Sequence, residues 1–335
     1  FDRVDLPFFK AHLEDFLPDE IVDFHVHVSR LAHFDKISEE RRRKHWMLDV
    51  SYVLPVPSLF RIYAKLLPSK RVHPLCFPYP IREAHLDKAN AYVASEVAAG
   101  RISGLYTPSP TMPAAALKDA ILSSRYLGLK PYPDLVEGKS EDEISIFDFL
   151  PHGHLQVADE LSLIVLLHIP RRERLRDPRN IEEIKLIANR YPRVKLVIAH
   201  VGRSYCPAYA AFGLPRLSEC PSLYFDIAAV LNVETYHILF NEVSADRVLW
   251  GSDLPIVLMR GKQECHGDQY VNFVRGDYVW NVNRKLPEVE NRYTFFMYEA
   301  LLALRRGIEQ AGLGKDAARQ ILCENATMLM RSFRS

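Results

Sequence analysis

Two stretches constrain the fold of this chain more than any others. Ser162–His168 (SLIVLLH) and Lys195–His200 (KLVIAH) are apolar runs closed by a histidine. Such short runs are the signature of strands buried on both faces, as in a parallel sheet. Similar strand readings fall on Ile21–Val28, Val50–Pro55, Arg71–Phe77, Tyr126–Pro131, Leu223–Ile227 and Arg247–Asp253, giving eight in all. Helical stretches separate most of them, among them His85–Ala99, Ala114–Tyr126, Asp148–Leu161 and Ile181–Tyr191. Strands alternating with helices imply βαβ units, and eight such units in 335 residues point to a (β/α)8 TIM barrel. No Gly-x-Gly-x-x-Gly follows the first strand, which argues against a dinucleotide-binding sheet.

The barrel is read as a single domain over 1–335, with 1–20 as a lead-in and 261–292 as an aperiodic insertion after the eighth strand, expected to be a cap or interface. Tyr293–Ile308 and Lys315–Met330 read as closing helices.

In such a barrel the C-terminal strand ends share one mouth, where catalytic groups gather. His168 ends the fifth strand, His200 the sixth and Asp253 the eighth. Asp23, His25 and His27 alternate along the first strand, so period-two geometry projects all three from one face, with Val22, Phe24, Val26 and Val28 on the other. Two imidazoles spaced this way can grip one metal ion. His25, His27, His168 and Asp253 are therefore expected to converge on it, because the first strand closes against the eighth.

Charge is balanced, with 43 Lys and Arg against 42 Asp and Glu, which leaves no footprint for nucleic acid or an anionic membrane. No 18-residue apolar run or signal peptide is read, and the five scattered cysteines include no Cys-x-x-Cys. That pattern argues against a disulfide framework or a zinc finger, and a cytoplasmic location is expected. Cys206 and Cys220 lack a paired base that would make either a nucleophile. The basic run Arg41–Lys44 reads as a solvated helix face, and His33, His45, His152, His154 and His266 as structural or exposed. Trp250 reads as core.

Six motifs together carry a family resemblance: Asp23-Phe24-His25-Val26-His27, Gly128-Leu129-Lys130-Pro131, His168, Ala199-His200-Val201-Gly202, Gly251-Ser252-Asp253-Leu254-Pro255 and Ile321-Leu322-Cys323-Glu324-Asn325-Ala326. The set resembles the amidohydrolase superfamily in its amidohydrolase-related branch, which also holds the aminocarboxymuconate-semialdehyde and γ-resorcylate decarboxylases. The resemblance implies a distorted TIM barrel with one divalent ion, zinc or else manganese, held by His25, His27, His168 and Asp253. His200 would sit beside the metal-activated water. Either Asp253 or His200 would serve as the base. Lys130 is implied to remain an amine that contacts an anionic substrate group, the alternative being a carbamylated bridge between two ions. Arg203 and Tyr132 are further substrate-binding candidates, with His73 and Arg260 weaker ones.

The expected activity is metal-dependent hydrolysis of an ester, lactone or amide of a small carboxylated molecule. Nonoxidative decarboxylation and a non-catalytic binding barrel are the competing readings. A small-molecule substrate, no nucleic acid or membrane partner and a homodimer complete the expectation.

Overall fold

The computed structural model describes residues 1–331, so the last four positions of the expected 1–335 domain lie outside the described residues. Eight parallel strands run in sequence order: β1 (Glu20–Val28), β2 (Arg71–Pro78), β3 (Ser103–Tyr106), β4 (Gly128–Leu129), β5 (Ile164–Leu167), β6 (Lys195–Ile198), β7 (Tyr224–Asp226) and β8 (Val248–Leu249). The ring closes between β8 and β1 through Phe24 N–H to Trp250 O (3.0 Å), Asp253 N–H to His25 O (2.9 Å) and His27 N–H to Leu254 O (3.0 Å). The fold is a TIM barrel.

Its interior is filled by side chains from the strands, including Val22, Phe24, Leu75, Phe77, Leu105, Leu166, Val197 and Leu249. Ala326 and Leu329, from the terminal helix Asn325–Arg331, pack into the same cluster. The alternate strand residues, such as Val165, Leu167 and Ile198, join a larger cluster with the surrounding helices.

Two strand assignments need correction. Val50–Pro55 is not a strand: it runs from the end of the helical turn Met47–Val50 to the start of helix Val56–Leu66. Pro55 explains this, since it sets the extended entry to a helix instead of continuing a ladder. The strand overlooked is β3, only four residues with Ser103 and Gly104 inside it. The two errors cancel, so strands four to eight keep their expected order.

The segment after β8 is also more regular than its sequence suggests. β9 (Arg260–His266) and β10 (Gln269–Arg275) form an antiparallel hairpin outside the barrel. Contrary to the expectation of no disulfides, Cys206 and Cys265 are bonded, joining this hairpin to the loop after β6 across 59 residues. Cys76, Cys220 and Cys323 are free. Among the described residues no helix is long and apolar enough to cross a membrane.

Candidate active site

The first strand aims its histidines by breaking its own alternation. The β1–β2 register shifts between Asp23 and Val26, a bulge that puts two successive residues out of step. Before the bulge, Val22 and Phe24 point into the barrel core; after it, Val26 and Val28 pack with the outer helices. His25 and His27 consequently face the mouth, while Asp23 does not join them. Asp23 is fully buried and accepts hydrogen bonds from Ser252 N–H (2.7 Å) and the Tyr63 hydroxyl (2.7 Å), tying the β1–β8 seam to an outer helix. Burial raises its carboxyl to about 6. Gly251 is required at this seam, because a Cβ there would sit 2.4 Å from the His25 Cβ.

Alternation places His168 beyond Leu166, on the interior face of β5. His200 needs more than alternation. His200, Val201, Gly202 and Arg203 all have positive φ (55, 51, 66 and 58°), a left-handed turn that costs non-glycine residues free energy. The turn leaves His200 Nδ1 2.8 Å from Ala228 O, so a tautomer that donates there leaves its Nε2 as an acceptor. Asp253 also has positive φ, at 66°.

These groups meet in a cavity of about 510 Å³ lined by His25, His27, His168, His200 and Asp253. The ligand atoms of His25, His200 and Asp253 lie within 4.8 Å of one another. Asp253 Oδ1 is 3.2 Å from His27 Nε2 and 3.6 Å from His25 Nε2. The His168 ring is 5.4 Å from that of His200. All five expected residues are thus brought to one place, with His200 inside the tightest group and His168 at its edge. Burial lowers the pKa of all four imidazoles, that of His200 to about 4, so they are neutral at pH 7, the form that binds metals. His25 Nε2 is buried without a hydrogen-bond partner. A neutral imidazole set with a carboxylate and an orphaned, inward nitrogen fits a divalent ion.

Asp226, at the end of β7, went unrecognised in the sequence. It is fully buried and hydrogen-bonded to His25 Nδ1, which fixes the ring so that Nε2 faces the cavity. Burial raises the Asp226 carboxyl to about 8. The readable signal was an acid closing a buried strand at the parity of Tyr224, which packs with the barrel interior.

Lys130 is fully buried, its Nζ has no hydrogen-bond partner, and it lies 5.0 Å from the Phe77 ring and 5.8 Å from that of Tyr132. Burial lowers its pKa to about 8, partly opposed by Asp226 and Asp253. Tyr132 lines the cavity with its ring 4.7 Å from His168. Arg203 also lines it, held by Glu141 (3.3 Å) and the carbonyl of Arg171 (3.1 Å). His73 is half exposed near Glu20 at the opposite end of the barrel, and Arg260 is paired with buried Asp5. The basic run is not simply solvated: Arg41 and Lys44 line the cavity with His45, and Arg41 is bonded to Glu83 (2.8 Å) and Asp134. His152 and His154 are structural, bonded to the Tyr191 hydroxyl and Met112 O. Trp250 is core.

A family model described as amidohydrolase matches residues 22–331. The chain belongs to the amidohydrolase family. No curated protein matches it by sequence. Among solved structures, a probable 2-pyrone-4,6-dicarboxylic acid hydrolase from Acinetobacter baumannii with citric acid bound is 16% identical, covering 93% of this chain and 99% of its own, with TM-score 0.56. A 2,6-dihydroxybenzoate decarboxylase from Rhizobium is 11% identical over 94% and 99%, TM-score 0.56. An amidohydrolase from Burkholderia multivorans with bound zinc is 12% identical over 93% and 99%, TM-score 0.57. Hydrolases and decarboxylases thus share this fold.

Proposed function

We propose that this amidohydrolase is a metal-dependent hydrolase that cleaves an ester, lactone or amide bond of a small carboxylated compound. The observation that carries this reading is the convergence of His25, His200 and Asp253 at the bottom of one cavity, with Asp226 buried behind His25. His27 and His168 flank the three and complete the donor set. An imidazole-rich set with one carboxylate suits zinc, with manganese second. A divalent ion held there would acidify water and polarise a carbonyl.

The protein's own groups do the rest. Asp253 accepts the proton of the attacking water and returns it to the leaving group. His200 is the competing base, but its Nδ1 contact with Ala228 O leaves only Nε2 for that work or for the ion. Lys130, the buried amine without a partner, takes a substrate carboxylate, and desolvation strengthens that contact. Tyr132 packs beside it, and Arg203 stands at the wall near Glu141.

Decarboxylation of an aromatic acid is the second reading, favoured by the tyrosines lining the cavity, Tyr79, Tyr132, Tyr205 and Tyr270, which suit a flat ring. Zinc-loaded protein assayed in 18O-water against carboxylated lactones, esters, amides and aromatic acids separates the two. Incorporation of 18O into a new carboxyl group is expected. Release of CO2 without incorporation would replace hydrolysis by decarboxylation.

A further inference from the structure

The β9–β10 hairpin supplies a part of the cavity wall that the barrel does not. Gln263 and Tyr270 from the hairpin line the cavity beside Tyr205 from the loop after β6. The base of the hairpin is anchored in the core. Val274 is fully buried, Gly261 N–H donates to Thr294 O (3.0 Å), and a Cβ on Gly261 would strike Phe273 O at 2.3 Å. The outer half is different: residues 262–270 are half-buried or exposed. Besides the Lys262–Glu299 ion pair at its root and a long Asn232 contact to Cys265 Sγ (3.7 Å), three features hold it. Cys265 is bonded to Cys206, the residue after Tyr205. The Arg174 guanidinium lies 5.4, 5.0 and 5.1 Å from the rings of Tyr205, Tyr209 and Tyr270. Arg176 pairs with Asp268 at the hairpin turn (2.9 Å). An ion pair on partly exposed groups contributes little, and Arg174 Nε and Nη1 are buried without hydrogen-bond partners, which weakens that anchor. The covalent bond therefore dominates.

We propose that Cys206–Cys265 is a redox-sensitive latch that holds the outer half of the hairpin against the loop after β6, fixing Tyr205, Gln263 and Tyr270 as one wall of the pocket. Disulfides persist in oxidising surroundings and are opened by thiol pools. Cys265 is half-buried and Cys206 fully buried, so a dithiol reductant attacks Cys265 Sγ. The S–S bond breaks, Cys206 leaves as a thiolate and takes a proton, and the second sulfur of the reductant displaces Cys265 while closing its own disulfide. In sum, two electrons and two protons pass to the protein. The open form loses the tyrosine wall but keeps His25, His200 and Asp253, which barrel strand ends and the His200–Ala228 contact hold in place. The latch works whichever bond the pocket cleaves.

The test uses the whole protein purified without reductant. Thiol titration in denaturant should count three free cysteines before reduction and all five after. Hydrogen exchange over 262–270 and 204–209 should then speed up by about tenfold or more on dithiothreitol treatment, with no change in β1 or β5. Cys265→Ser should behave as the reduced protein without any reductant. Five thiols before reduction would overturn the proposal, as would hairpin exchange that ignores reduction. Acceleration spread over the whole barrel, in both the reduced protein and Cys265→Ser, would make the bond a general staple and overturn it too.

Discussion

The mouth of the barrel has two unlike walls. On β1 and β6 two of the imidazoles come with their own supports: Asp226 of β7 behind His25, Ala228 O behind His200, and a left-handed turn to aim the latter. Nδ1 of His27 and of His168 is buried without a hydrogen-bond partner. On the side of β2 and β4 the wall carries Tyr79 and Tyr132 among charged Arg82, Asp134 and Lys139. Beneath it the fully buried Lys130 amine lies against Phe77 and Tyr132 with no hydrogen-bond partner. A buried cation left unpaired lowers stability, and such a defect persists where a ligand completes it. In the proposed function the first wall takes an ion and the second an anion.

The sharpest way to break this contrast is to cut the first wall. His25→Ala or Asp253→Asn should weaken zinc binding by more than about 100-fold, measured by competition with a chromogenic chelator. Asp226→Asn touches no ion and should weaken binding by about 10- to 100-fold with an unchanged circular dichroism spectrum. An unaltered affinity would remove Asp226 from the account.

Lys130→Met should leave zinc affinity alone and raise KM by about 10- to 100-fold, the worth of one charge-assisted bond. The same variant should melt at a higher temperature, by on the order of 1 kcal/mol of added stability, because an unpaired buried amine is gone. The smallest effect belongs to His73→Ala at the far end of the barrel. It should leave zinc binding unchanged and move stability by less than about 0.5 kcal/mol.

What the sequence made legible was whatever depended on local period and order. The apolar runs of β5 and β6 announce a parallel sheet, and His168, His200 and Asp253 announce the mouth by ending their strands. Local period failed where tertiary contacts override it. Asp23 alternates with His25 and His27 in sequence, yet one bulge sends it to Tyr63. Asp226 looked like the end of an ordinary strand, because its partner His25 is 201 residues away. Arg41 looked solvated because Glu83 and Asp134, which draw it to the cavity, are equally distant from any local pattern. The cysteine pair was hidden for the same reason: a hairpin that no periodicity revealed carries one partner to the other.

The central claim is that one ion is held by the first wall while Lys130 remains free for substrate. The direct measurement is metal content per chain in protein purified without added metal or chelator, beside His25→Ala and Lys130→Met. About one equivalent is predicted, lost in His25→Ala and kept in Lys130→Met. About two equivalents that fall in Lys130→Met would mean a lysine-bridged pair of ions, and no metal in any sample even after zinc or manganese is added would contradict the account outright.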